Sequence, residues 1–150
     1  MSDNWIIVMP EAADYLPSEE AQRKAVVFFE QLAPAADEVK AEATAGVRFI
    51  DCGANFERVL CPDCGAEIEM GWWQDWMGEE AETGFPLRRI SLRCCGATRN
   101  LDELRYDWPQ GFARFSLEAM NPGIRDLTEE HLKTFEEILG CRVRKVLQHV

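Results

Sequence analysis

Two short cysteine clusters constrain this chain more than any other feature: Cys61-Pro62-Asp63-Cys64-Gly65 and Arg93-Cys94-Cys95-Gly96, on either side of an acidic, tryptophan-rich stretch. In a Cys-x-x-Cys turn the two intervening residues reverse the chain so that both sulfurs point inward, and the glycine that follows accepts the left-handed backbone this requires. Pro62 presets φ for the turn. Phe56-Glu57-Arg58-Val59-Leu60 before it and Ala66-Glu67-Ile68-Glu69-Met70 after it alternate in character, as the arms of a hairpin do. Thiolates gathered this way suit a divalent ion with four soft ligands in a tetrahedron, which describes zinc. Cys61, Cys64, Cys94 and Cys95 are the expected ligands, and structural zinc is the expected cofactor.

Other uses of the cysteines stay open at this level. A thioredoxin-like redox site requires a helix directly after Cys-Pro-x-Cys, whereas Ala66, Ile68 and Met70 have strand period, which favours the metal. Cys94 and Cys95 are adjacent, and in an extended strand neighbours face opposite ways, so both reach one ion only if the chain turns between them. Gly96 permits such a turn. Cys52 is a reserve ligand, and a three-thiolate site with an open water position is the reactive alternative, although catalytic zinc usually includes His or carboxylate ligands. Cys141 reads as a buried thiol.

With 150 residues, 47% of them hydrophobic, the chain is long enough to bury a core without disulfides. Its start, Met1-Ser2-Asp3-Asn4, carries no basic region, and no apolar run approaches the roughly 18 to 20 residues that cross a bilayer. A cytoplasmic protein without a membrane partner is expected, with its six cysteines serving as ligands and thiols in a reducing compartment. Sixteen basic and 27 acidic residues give a net charge of −11, which repels phosphate backbones and argues against nucleic acid as a partner.

The two ends of the chain follow the same succession. Trp5-Ile6-Ile7-Val8-Met9 reads as a buried strand ended by Pro10; Ser18 caps a helix with Ala25, Phe28, Phe29 and Leu32 on its apolar face; Pro34 stops it. The Ala-rich stretch to Ala45 is expected to add a further helical turn or two before a strand at Val47–Cys52. Phe112–Met120 alternates as a strand with Phe115, Leu117 and Ala119 on one face and a wet face of Arg114, Ser116 and Glu118. Thr128 caps a helix that ends at Gly140, and a last strand follows. Strand, helix, strand, given twice, resembles the ferredoxin-like split βαβ sandwich, an α+β fold, over residues 1–52 and 111–150. Residues 53–110 are too long for a loop and read as an inserted zinc-ribbon-like β-hairpin module.

Beyond the cysteines the chain carries little chemistry. His131 and His149 lack ligand or dyad spacing, and no nucleophile elbow, His-Glu-x-x-His or phosphate loop is present, so no catalytic residue is assigned. Trp72, Trp73 and Trp76 crowd the acidic stretch, with Asp75, Glu79 and Glu80 beside them. They either cover the metal hairpin and fill the seam with the sandwich or form an anchor surface for a basic protein. The Cys61–Gly65 knuckle, Cys94-Cys95-Gly96 and Leu104-Arg105-Tyr106-Asp107-Trp108-Pro109 together resemble a family of small uncharacterised bacterial proteins over residues 56–120. Some of these are labelled sugar-transporter ATPase, a label that the missing phosphate loop contradicts. Two functions follow as expectations: a non-catalytic, zinc-stabilised interaction protein, most concretely an immunity or antitoxin-like inhibitor of a basic partner, or an enzyme or small-ligand sensor with a site where sandwich and insertion meet.

Overall fold

The computed structural model describes residues 2–150, in which α and β elements are mixed. Trp5–Met9 lies inside β1 (Asn4–Pro10), an inner strand of the main sheet. Ser18 Oγ accepts the amide of Ala21 and starts α1 (Glu19–Leu32), which ends one residue before Ala33 and Pro34. β2 (Glu38–Ile50) follows and takes in the Ala-rich stretch that the sequence predicts as helix. Alanine favours helix only weakly against tertiary pairing. Here Glu38 to Ala43 pair residue for residue with Met120 to Phe115, while Val39 and Ala41 rest on the core under the helices.

Three short strands and a helix come next: β3 (Arg58–Leu60), β4 (Glu67–Ile68), α2 (Met70–Glu82) and β5 (Ile90–Ser91). β6 (Thr98–Arg99), a 3-10 turn at Leu101–Glu103 and β7 (Arg105–Asp107) lead into β8 (Gly111–Met120). Thr128 and His131 then form a capping box for α3 (Glu129–Leu139), closed by Gly140 at φ 75°, and β9 (Val143–His149) ends the chain. His131 thus caps a helix, in line with its lack of ligand spacing.

Four of these strands form one antiparallel sheet in the order β2-β8-β1-β9. α1 and α3 lie side by side on one face of it, where Phe28 and Phe29 meet Phe135 edge-on at 4.9 and 5.2 Å. The opposite face buries Ile7, Met9, Ile50, Cys52 and Val146, with Trp5 and Phe56 against them. On β8 the expected wet face is not wet throughout. Ser116 is fully buried because Arg48 reaches across from β2 to its hydroxyl at 3.2 Å, and that hydroxyl donates to Glu118 at 2.7 Å.

The remaining strands pair outside this sheet as β4-β3-β7 and β5-β6. An aromatic seam joins them to it: Trp73 packs on Phe56 at 5.2 Å and on Phe49 at 6.2 Å, and Phe49 meets Phe112 at 5.1 Å. A polar tie lies beside the seam. Asp102 accepts from Arg144 Nη2 at 2.7 and 2.9 Å and from the Phe112 amide at 3.0 Å, and Arg144 also donates to the Phe112 carbonyl. A side chain at Gly111 would come within 2.8 Å of both Arg144 and Asp102, so glycine is required there for close approach. Truncating the helix-layer anchor, Phe135→Ala, is expected to cost about 3–5 kcal/mol in denaturant unfolding and to leave metal stoichiometry unchanged; a loss of metal in that variant would show that the two cores are not separable.

Candidate metal centre

The two cysteine clusters occupy the turns of two equivalent hairpins. In the first, between β3 and β4, the Cys61 amide donates to Ala66 O at 2.9 Å and the Gly65 amide to Cys61 O at 3.0 Å. In the second, between β5 and β6, the Leu92 amide donates to Ala97 O at 2.9 Å and the Gly96 amide to Leu92 O at 2.8 Å. Gly65 and Gly96 both hold left-handed backbone, at φ 75° and 78°. One fixed offset therefore carries Leu60, Cys61, Cys64, Gly65 and Ala66 onto Ser91, Leu92, Cys95, Gly96 and Ala97.

This equivalence explains the adjacent cysteines. Leu92 stands where the first turn has Cys61, and it is buried in the neighbouring core. The sulfur it lacks is supplied by Cys94, inside the turn and beside Cys95. Because the chain reverses there, the strand rule that sends neighbours to opposite sides does not apply. All four sulfurs of Cys61, Cys64, Cys94 and Cys95 lie within 4.8 Å of one another, with Cys61 and Cys95 at 3.8 Å and Cys94 and Cys95 at 4.0 Å. A tetrahedron with metal–sulfur bonds of ~2.3 Å has edges of about 3.8 Å, so the group can hold one metal ion.

Electrostatics favour charge on the buried member. The amides of Cys64 and Asp63 point at Cys61 Sγ from 3.5 and 3.4 Å, and, led by the Cys64 amide, they draw its pKa down to about 7 against the cost of desolvation. Cys94 is pushed up to about 12, first by desolvation and then by the hydrogen bonds among the sulfurs. A divalent ion replaces the protons on such a group and is bound in competition with them. Asp63 also forms an ion pair with Arg99 at 2.6 Å, linking the first turn to the strand that leaves the second.

Cys52 is not part of this group. It is fully buried under the main sheet, its amide donates to Gln110 Oε1 at 3.0 Å, and its thiol lies 3.3 Å from the same oxygen. Burial raises its pKa to about 11. Cys52 therefore does not serve as the reserve ligand, and the sulfurs that converge are the four of Cys61, Cys64, Cys94 and Cys95. Cys141 is half-buried, and burial likewise raises it to about 11.

Of the residues predicted to face a partner, several are core. Trp73 and Trp76 are only 6% and 5% exposed, and Trp73 Nε1 donates to Tyr106 Oη, which in turn donates to Leu101 O. Glu80 is 2% exposed and accepts from the Arg88 amide and guanidinium, bracing the loop after α2 in which Phe85 and Leu87 hold positive φ. A helix places residues three and four apart together, so the core draws in Trp73, Trp76 and Glu80 and leaves Asp75 and Glu79 exposed and Trp72 at the margin. Trp72 packs on Trp76 at 5.6 Å and carries the Arg93 guanidinium over its ring at 5.3 Å.

Leu92 and the Asp63–Arg99 bridge were missed from the sequence. The signal for the first is Cys-Gly-Ala, which occurs at Cys64-Gly65-Ala66 and again at Cys95-Gly96-Ala97 and sets the register of the two turns. No helix among the described residues is long and apolar enough to cross a membrane. Comparison with protein-family models, curated proteins and solved structures gives no match to this chain.

The turn equivalence makes a specific prediction. Cys94→Ala is expected to lower cobalt(II) or zinc(II) affinity, and Leu92→Cys added to Cys94→Ala is expected to restore a four-sulfur site, read from the d–d bands of the cobalt form. Thiol alkylation supplies a second check: chelation is expected to open Cys61, Cys64, Cys94 and Cys95 together while Cys52 reacts only on unfolding.

Proposed function

We propose that this is a non-catalytic, zinc-stabilised interaction protein whose partner is basic. The metal belongs to Cys61, Cys64, Cys94 and Cys95, and zinc fits an all-thiolate tetrahedron without redox chemistry. Four sulfurs saturate such an ion, so its role in this reading is to hold two hairpins together. The strand order β2-β8-β1-β9 with both helices on one face supports a ferredoxin-like assignment for the main sheet, and the paired glycine-ended turns support a zinc-ribbon-like one for the insertion.

The observation that carries the partner is a cleft of about 260 Å³ on α2, lined by Trp72, Asp75, Trp76, Glu79, Glu80, Arg88 and Ile90. Glu80 is committed to Arg88, whereas Asp75 and Glu79 make no salt bridge among the described residues. Indole faces with carboxylates at their rim recognise guanidinium or ammonium groups. Arg93, already stacked on Trp72, is an intramolecular example of that contact. The net charge of −11 steers a basic protein toward this face, and fast capture of a basic enzyme by an inhibitor is one such use.

Titration with a short oligo-arginine peptide, followed by tryptophan fluorescence, tests the assignment. Trp72→Ala, which leaves net charge untouched, is expected to weaken binding by about fivefold, the equivalent of ~1 kcal/mol of cation–π contact; Asp75→Asn with Glu79→Gln is expected to weaken it further and to flatten its salt dependence. Equal binding by the parent and Trp72→Ala would reduce the interaction to bulk charge and remove the cleft from it.

A further inference from the structure

We propose that β2 is a self-complementary edge through which two copies of this chain join their main sheets into one. β2 lies at the end of the order β2-β8-β1-β9 and pairs with β8 alone, so its other side offers a row of backbone donors and acceptors. The row is straight where it matters: pairing with β8 runs without a break from Glu38 to Ala43 before the register shift toward Arg48. Ala41 sits near the middle of that stretch.

The order of charges selects the occupant. Lys40 and the carboxylates Glu38 and Glu42 lie on the face of β2 away from the helices, and Val39, Ala41 and Ala43 alternate with them. A second copy that adds antiparallel with its helices on the same side must set residues of like parity opposite one another. With Ala41 opposite its own counterpart, Lys40 faces the second copy's Glu42, Glu42 faces its Lys40, and Glu38 faces its Thr44. Centring instead on Lys40 or Glu42 sets like charges opposite, and centring on Val39 leaves little more than Glu38 to Lys40 paired. Opposite charges across a pair stabilise it and like charges destabilise it, so among registers centred within the unbroken stretch from Val39 to Glu42 the charge order favours the one on Ala41. Within one copy Lys40 lies 3.9 Å from Glu38 and Glu42 lies 3.9 Å from Arg48, both long, partly exposed contacts that leave these side chains able to pair across the two-fold.

An apolar surface continues the edge on the helix side. Glu19, Gln22, Arg23, Val26, Val27 and Ala41 line a groove of about 550 Å³ between α1 and β2, and Val27 is 52% exposed. The same two-fold that pairs the strands brings the second copy's α1 against this groove and covers Val27. The partner is thus a second copy of this chain, joined at a surface away from the metal centre and from the cleft on α2.

Sedimentation equilibrium of the metal-loaded protein over a concentration series decides the matter, with far-UV circular dichroism and metal content as fold controls. The parent is expected to dimerise. Lys40→Glu and Glu42→Lys, each of which sets two like-charged pairs across the two-fold, are expected to weaken dimerisation roughly tenfold. The double variant, which keeps opposite charges opposite, is expected to regain the parent's dimer constant. A parent that stays monomeric throughout, single variants that dimerise like the parent, or a folded double variant that does not recover would each overturn the proposal.

Discussion

Phe112 joins the main sheet to the smaller core, its backbone in one and its ring in the other, and much of the molecule is arranged around that fact. It is the second residue of β8, one of the two inner strands of the main sheet, yet its ring lies in the core of the smaller strands, against Phe49 and Phe85. Its backbone is held on both sides, the amide by Asp102 and the carbonyl by Arg144. A partly buried ion pair of this kind contributes little net stability, because desolvation offsets most of the attraction. Its geometry instead fixes where the 3-10 turn meets the sheet, and Gly111 keeps the space that the pair occupies.

The insertion has too few residues to close a core by hydrophobic burial alone, and three devices share the work. Trp73 and Trp76 supply area, the four sulfurs are placed so that they can hold the turns of two hairpins on one ion, and the seam through Phe49 and Phe112 borrows apolar surface from the sheet. Leu92 takes part in two of these: it occupies a ligand position in the turn and fills the core below it. The price is asymmetry between the turns, which Cys94 compensates from a position that the first turn gives to Asp63.

Much of this was legible in the residues, and what was not has a physical reason. Ser18, Thr128 and Gly140 mark helix ends through local hydrogen bonds and backbone preference, and they could be read directly. The stretch Ala35–Ala45 could not, because its strand character comes from β8, which lies far away in sequence. Ser116 looks like a wet residue by alternation and is buried only because Arg48 crosses the sheet above it. At the candidate metal centre the four clustered cysteines were visible in their spacing, but the separation of Cys52 from them depends on Gln110, which nothing local connects to it. On α2 the sequence left open whether Trp72, Trp73 and Trp76 pack inward or face a partner, and helical geometry buries Trp73 and Trp76 and leaves one ring, Trp72, at the boundary.

In polymer terms an ion held by Cys61, Cys64, Cys94 and Cys95 is a cross-link across the stretch that contains α2. Joining the ends of a segment removes conformations mainly from the unfolded chain, and the loss grows only slowly with segment length. The outward-facing residues between the two turns are therefore free to vary at small thermodynamic cost, provided Ile68, Trp73, Trp76, Glu80 and Leu92 keep their buried places. With such an ion bound the insertion would be a clamped loop, in which the clamp and the buried indoles serve folding and the outer surface of α2 is left to recognition.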